Sequence, residues 1–352
     1  MKTTTTTFAF QNNSTIANNF KKLIITGAFS ILALVSCEKN DDMDGIVQGP
    51  DDSEIIFSGL ELQNSIQDSR ESDIQRFSID GVIAGIVVGA QGTQLSFPPN
   101  AFEFLDGTAV TGNVDIELVE VYDKADMLKK KLPTNGKQPN GDVVTIISGG
   151  EFFVNATQNG TQLRPAEAFE LTAPVDIAAG FNPEMTVFVP ENDCEELDCD
   201  VVWEEDEDAE VRGGEIQNAD GTWTSAYIAP LTGFGWTNLD RWWSYAGPKT
   251  MVYVDVPEGF NETNSAVYVS YDGEPNALAL FDTYDTALEQ FTEHYGQMPI
   301  GQQVHFIFVS VQDGDYVYAI QAATIVDGHT EIIGSTQITS EAGLTILIDA
   351  LP

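Results

Sequence analysis

Basic residues are scarce in this chain of 352 residues: 15 Lys and Arg stand against 55 Asp and Glu. Phosphate contacts need clustered Lys and Arg, so a nucleic-acid partner is excluded and anionic surfaces repel the chain as a whole. Histidine and cysteine are sparse as well, at three each. His294, His305 and His329 lie far downstream of the cysteines, so no His/Cys set has metal-ligand spacing. There is no GxSxG elbow, no HExxH, no phosphate loop, and no lone thiol after the first cysteine. No reaction is signalled, and the expectation is a protein that is not an enzyme. Sustained helical periodicity is almost missing, and so are long apolar runs. The best of those, Leu23–Ser36, holds about 14 residues, short of the ~20 that span hydrocarbon.

That short run carries information through its ends. Lys21 and Lys22 precede it, and Leu34, Val35 and Ser36 lead directly into Cys37. A positive start, an apolar stretch and small residues before a cysteine form a lipobox. The small side chains admit the cleaving enzyme, and the Cys37 thiol accepts the diacylglycerol. The alternative is an ordinary secretory peptide with an incidental cysteine. Residues 1–36 then form a signal peptide, and 37–76 a lipidated, acid-rich tether. Cys37 is followed by Glu38, Lys39, Asn40, Asp41, Asp42 and Asp44, which resembles the export tag of Bacteroidota-type surface lipoproteins. A solvated acidic tether is the plainer reading. The expected address is the outer membrane, reached through a lipid chain rather than a helix, and facing the medium.

Removing residues 1–36 with their three lysines leaves 12 basic against 55 acidic residues, a net charge of −43 over 316 residues. That length is about twice a typical domain, and 42% hydrophobic content is enough to build cores. The dominant pattern is short strands. "VTGNVDIELVEVYD" alternates Val114, Ile116, Leu118 and Val121 with acids on the other face. "VVTIISGGEFFVNATQNGTQL" reads as two strands joined at Asn159-Gly160. Strands at roughly 8–12-residue spacing predict β-sandwiches.

"GTQLSFPPNAF", "DGTAVTGNVDIELVEVYDKADML" and "SGGEFFVNATQNGTQL", followed by "FGWTNLDRWW", resemble a module of Bacteroidota lipoproteins. That module is similar to the ZU-five-like β-sandwich of ankyrins and netrin receptors. The resemblance covers roughly residues 78–180 and implies a protein-contact role with no catalytic residues. It assigns 77–246 to a ZU-five-like sandwich interrupted by an acidic insertion. Residues 247–352 read as a smaller immunoglobulin-like or transthyretin-like β domain. "TYDTALEQFTEHYG" is predicted to be its helix, capped by Asp282 or Thr283 and ended by Gly296.

The insertion "ENDCEELDCDVVWEEDEDAEV" holds Cys194 and Cys199, which in an oxidising compartment close a small disulfide loop. Asp206, Glu207 and Asp208 supply hard oxygen donors of the kind Ca2+ takes, although their spacing matches no EF-hand. A solvated acidic loop is the alternative. No other cofactor is expected. All five tryptophans fall between Trp203 and Trp243. Trp236, Trp242 and Trp243 are the candidate ligand platform, with core packing as the rival reading. Lys124, Lys129, Lys130, Lys131 and Lys137 form the one basic cluster, in a stretch read as a hydrated loop that faces an acidic partner or the chain's own insertion.

The expectation is therefore a lipid-anchored, mainly β surface protein. Its role is binding, adhesion or scaffolding with a protein partner. One alternative is a glycan-binding accessory of a nutrient-uptake system, and another is a hydrolase working through two facing carboxylates in a cleft.

Overall fold

A computed structural model of the chain describes residues 58–175, 181–192, 194–217, 221–293 and 295–352. Cys37, the signal segment, most of the acidic tether and His294 lie outside the described residues.

The first described element is a helix, α1 (Gly59–Ser72), followed by β1 (Gln75–Asp80), β2 (Gly85–Val88), β3 (Gln94–Phe97), β4 (Phe102–Phe104) and β5 (Asn113–Val121). A short helix, α2 (Lys124–Lys129), and β6 (Asn135–Lys137) lead into the long β7 (Val143–Gln158) and its hairpin partner β8 (Thr161–Pro165). Then come β9 (Phe169–Pro174), β10 (Thr186–Pro190), β11 (Trp203–Glu205), β12 (Arg212–Gln217), β13 (Trp223–Leu231) and β14 (Gly235–Trp242).

The second half begins with β15 (Lys249–Thr250), β16 (Tyr253–Asp255), β17 (Ala266–Tyr271), β18 (Leu278–Leu280), β19 (Thr283–Asp285) and β20 (Gln290–Thr292). It closes with β21 (Met298–Pro299), β22 (Gln303–Gln312), β23 (Asp315–Thr324), β24 (Thr330–Ile332), β25 (Gln337–Thr339) and the helix α3 (Glu341–Asp349).

One large sheet runs β1-β5-β7-β14-β10-β11-β6, with β4 and β8 attached, and a smaller one runs β12-β13-β9-β3-β2. Between them Val114, Ile116 and Leu118 of β5 meet Leu95 of β3 and Leu171 of β9. The alternation read in "VDIEL" is thus a face of a real sandwich. In the second half, β18-β17-β22-β23-β25 stacks against β19-β20-β16-β24, with Val267 and Phe306 facing Val254 and Phe291. The chain is mainly β with sandwich layering in both halves, as its sequence predicts.

A third core joins the halves. Phe153, Phe188, Trp203 and Trp236 of the large sheet pack with Tyr268, Ile307 and Val309 of the second half, and Leu62 of α1 and Leu344 of α3 seal the same cluster. The large sheet is consequently covered on both faces, and β7 supplies side chains to all three cores through Phe153, Phe152 and Ile147. A strand buried on both sides reads as a near-continuous apolar run rather than an alternating one.

Three expectations are corrected. Residues 59–72, assigned to the tether, are α1, which docks through Leu62, Ile66 and Arg70 at helical spacing. Leu60, Leu62 and Ile66 are the three apolar side chains in an otherwise polar segment, which leaves only a weak helical period. The helix expected at 282–296 is a hairpin of β19 and β20. Asp285 Oδ1 accepts from the Ala287 and Leu288 amides, Glu289 turns through φ 56°, and Tyr284 packs edge-on against Phe291. That side-chain-capped turn outcompetes the helix. The helix of the second half is α3, capped by the Ser340 hydroxyl on the Gly343 amide. The lysine-rich loop contains α2, capped by Asp123, with Lys124 and Lys130 buried.

Candidate functional site

The "SGG" of β7 is the point from which a site can be built. Opposite it, the ladder with β14 shifts register between Asn238 and Asp240. A Cβ on Gly149 would meet the Leu239 carbonyl oxygen at 3.0 Å, and one on Gly150, at φ 138°, would strike the rings of Phe152 and Tyr122. Small residues are required here because two strands and two aromatic rings converge on one bend.

The irregularity turns polar groups inward. The Ser148 hydroxyl donates to Asn238 Oδ1 at 2.9 Å. Asn238 Nδ2 donates to Asp240 Oδ2 at 2.7 Å and reaches Glu151 Oε1 at 3.4 Å. Glu151 and Asp240 are completely buried, and Glu151 Oε2 and Asp240 Oδ1 have no hydrogen-bond partner among the described residues. Burial pushes both carboxyls well above the usual range. The neighbouring Asp240 pushes Glu151 further, against the pull of Arg70 and Lys130, while the bonds from Ser148 and the Gly149 amide only soften the rise at Asp240. The pair holds protons where surface carboxylates have lost them.

Above this network opens a cleft of about 420 Å³ between the two halves, with Ser148 and Gly149 in its wall. Tyr122 and Tyr227 contribute rings, and Arg241, Glu274 and Asn276 contribute polar groups. Each wall is tied down. The Ser148 amide donates to the Asn276 carbonyl at 3.0 Å. Tyr227 accepts from the Asn182 amide at 2.9 Å, and Tyr122 shares a 2.7 Å hydroxyl contact with Thr93. Arg241 reaches Glu274 at 3.4 Å across the junction of the halves. The buried carboxyls Glu151 and Asp240 do not line the cleft.

The tryptophans are not assembled into a platform. Trp236 is 2% exposed, packs on Phe153, and donates to the Leu197 carbonyl at 3.1 Å. It is a core residue, which corrects its place in the expected ligand platform. Trp242 and Trp243 point to opposite sides, as adjacent strand residues do. Trp242 meets Phe188 edge-on and donates to Glu205 at 2.7 Å, whereas Trp243 packs on Tyr271 at 4.5 Å. Trp203 is buried, and Trp223, at 61% exposure, stands in solvent.

Cys194 and Cys199 are bonded. The loop they close presents the Leu197 and Cys199 carbonyls to Arg70 Nη1 at 2.9 and 2.8 Å. Arg70 also donates to the Lys130 carbonyl at 2.7 Å and lies over the Trp236 ring. Asp206 is half-buried, and Glu207 and Asp208 are exposed; the Asp206 carboxylate accepts from the Asp208 amide at 3.0 Å. Among the described residues no three Asp, Glu, His or Cys side chains converge on a metal-sized space. The lysine cluster turns toward the chain's own acids. Lys131 pairs with Asp200 at 2.8 Å and Lys137 with Glu191 and Glu204, while Lys130 meets Asp73 at 2.6 Å. His305 contacts Asp272 and His329 contacts Glu331, each within the second half.

Sequence reading missed the cleft residues. "SGG" and "NLDRWW" mark the two strands that build it, but Glu274 and Asn276 arrive from a turn that nothing in the sequence connects to them. No family model, curated protein or solved structure matches this chain.

Proposed function

We propose that this is a lipid-anchored outer-membrane protein, displayed toward the medium, whose body binds a ligand without transforming it. The observation that carries the reading is the cleft at the junction of the halves. Its walls are fixed by hydrogen bonds and strand pairing, so little ordering entropy is lost on binding. Aromatic faces beside a few directed polar groups are the usual make-up of a recognition site. The lipobox at Cys37 supports the address, and the resemblance of residues 78–180 to ZU-five-like modules supports a contact role.

A protein segment is the first ligand class. A glycan is the second, favoured by Asn276, Arg241 and Glu274 in the cleft wall, whose polar groups can bond sugar hydroxyls. The test has two parts. Lipidation predicts that the chain fractionates with outer membranes and that Cys37→Ser releases it. Ligand capture predicts that polysaccharides or peptides raising the melting temperature of the chain from Glu38 onwards lose that effect in Arg241→Gln and Asn276→Ala. Ligand-induced hydrogen-exchange protection confined to regions away from the cleft would overturn the site.

A further inference from the structure

The smaller sheet of the first half has two unlike ends. At one, β12 carries Arg212 and Glu215, and Arg212 is paired with Glu170 on β9. Charges on an edge strand are a standard guard against pairing with another chain. The edge of the large sheet is guarded in the same way: β1, which lies beside β2 rather than β12, carries Arg76 and Asp80, with Arg76 bonded to Glu117 at 3.1 Å.

At the other end of the smaller sheet lies β2, which among the described residues pairs with β3 alone. Its sequence is Gly-Ile-Val-Val, and from Gly81 to Phe102 the chain has no charged side chain. Val87 points into the core, so the outer face shows Ile86 at 64% exposure and Val88 at 52%, with Ile83 at 61% in the preceding turn. The strand contains no proline and no bulge, and the turn that follows is pinned. The buried carboxylate of Glu120 accepts from the Gln91 and Thr93 amides at 3.0 and 2.9 Å and from Gln75 at 2.8 Å. This edge is apolar, uncharged and held in place.

We infer that β2 is a self-association edge, where a second copy of this chain adds its own β2 antiparallel. Charge selects the occupant. Two bodies that each carry a large negative charge repel wherever their acids face one another, and the neutral segment is where that repulsion is weakest. Symmetry agrees, because an antiparallel pair about a two-fold axis near Val87 is self-complementary. It sets Ile86 of one copy against Val88 of the other, and the reverse, on one continuous outer face. The sheet then runs unbroken through both copies. With only a short strand at its centre the contact is a weak one, below the size of a standard stable interface.

Without its anchor, the chain from Glu38 to Pro352 is followed by sedimentation equilibrium from about 1 to 500 µM, a range suited to weak interfaces. A monomer–dimer equilibrium is expected, with the Gly85–Val88 amides gaining exchange protection as concentration rises. Raising the salt should tighten the dimer several-fold by screening the like charges. The double variant Ile86→Lys, Val88→Lys, altered only at exposed side chains, should weaken it at least ~10-fold while leaving the circular dichroism and melting temperature in place. Three results each overturn the inference: a wild-type chain monomeric at the top concentration, a dimer that persists in the lysine variant, or a dimer that salt weakens.

Discussion

The core inside the first sandwich and the core that joins the two halves are built on different terms. Between the sheets of the first half, Val114, Ile116, Leu118, Leu95 and Leu171 close the space with hydrocarbon alone. At the junction, apolar side chains share the interior with Arg70, Lys130, Glu151 and Asp240, all buried. The first arrangement tolerates small losses gracefully, because a trimmed methyl leaves a small void. The second depends on each charge keeping its partners, since a buried charge left alone costs several times more than a missing methylene. The junction should therefore be the brittle part of the fold.

The largest effect is expected at Arg70. Its guanidinium satisfies the Lys130, Leu197 and Cys199 carbonyls and fastens α1, α2 and the disulfide loop together. Arg70→Ala should lower the unfolding free energy by about 3–5 kcal/mol, measured by urea denaturation. Ile116→Val in the apolar sandwich should lower it by about 1 kcal/mol. Equal losses at the two sites would erase the distinction between the cores.

The disulfide ranks next. Cys194 and Cys199 are five apart in sequence, and closing so short a loop removes enough denatured-state entropy for about 2 kcal/mol. Because Arg70 grips the carbonyls of that same loop, Cys194→Ser with Cys199→Ser should not add to Arg70→Ala. A coupling of about 1 kcal/mol or more is expected from the full cycle, and strict additivity would show that the loop and the arginine act separately.

Proton linkage distinguishes the cores in a third way. Burial raises the Glu151 and Asp240 carboxyls, so the folded chain holds protons that the unfolded chain releases above about pH 4. Stability is therefore expected to fall as pH rises from there toward their folded values, by up to about 1.4 kcal/mol per pH unit for each group inside that window. Lys124 runs the other way. Its burial lowers it to about 8, so above that pH the unfolded chain binds more protons and stability returns. Urea midpoints between pH 5 and 8 should decline in the wild type and decline less in Glu151→Gln. Parallel slopes would mean that Glu151 ionises freely in the fold.

The same contrast explains what was legible in advance. The β5 face could be read because one side of that strand meets the core and the other meets acids, giving a period of two. The cysteine pair could be read from its close spacing, and the acidic, exposed character of Glu207 and Asp208 from composition. The junction could not be read, because a strand covered on both faces loses its period, and its charged members look like surface residues in one dimension. Arg70 and Lys130 sit in polar, charged stretches whose burial is decided by tertiary contacts with α1, α2 and the 194–199 loop. The cleft inherits that opacity, since Ser148, Arg241 and Glu274 meet only after the halves have docked.

The smallest effect concerns the tryptophans, where burial and exposure can be separated almost without touching stability. Trp236 lies in the junction core under Arg70, while Trp223 stands in solvent near the start of β13. Acrylamide should quench a red-shifted component of the emission, and Trp223→Phe should remove most of that component. The cost should stay within about 0.5 kcal/mol, as for other surface changes. Trp242 and Trp243, half-buried against Phe188 and Tyr271, should supply the remaining accessible signal. Trp236→Phe, by contrast, should leave the quenchable fraction unchanged and lower stability, because it takes away the Leu197 hydrogen bond and part of the junction packing. If instead Trp236→Phe removed the quenchable emission, the junction core would be open to solvent, and both its brittleness and the rigidity assigned to the cleft walls would be lost together.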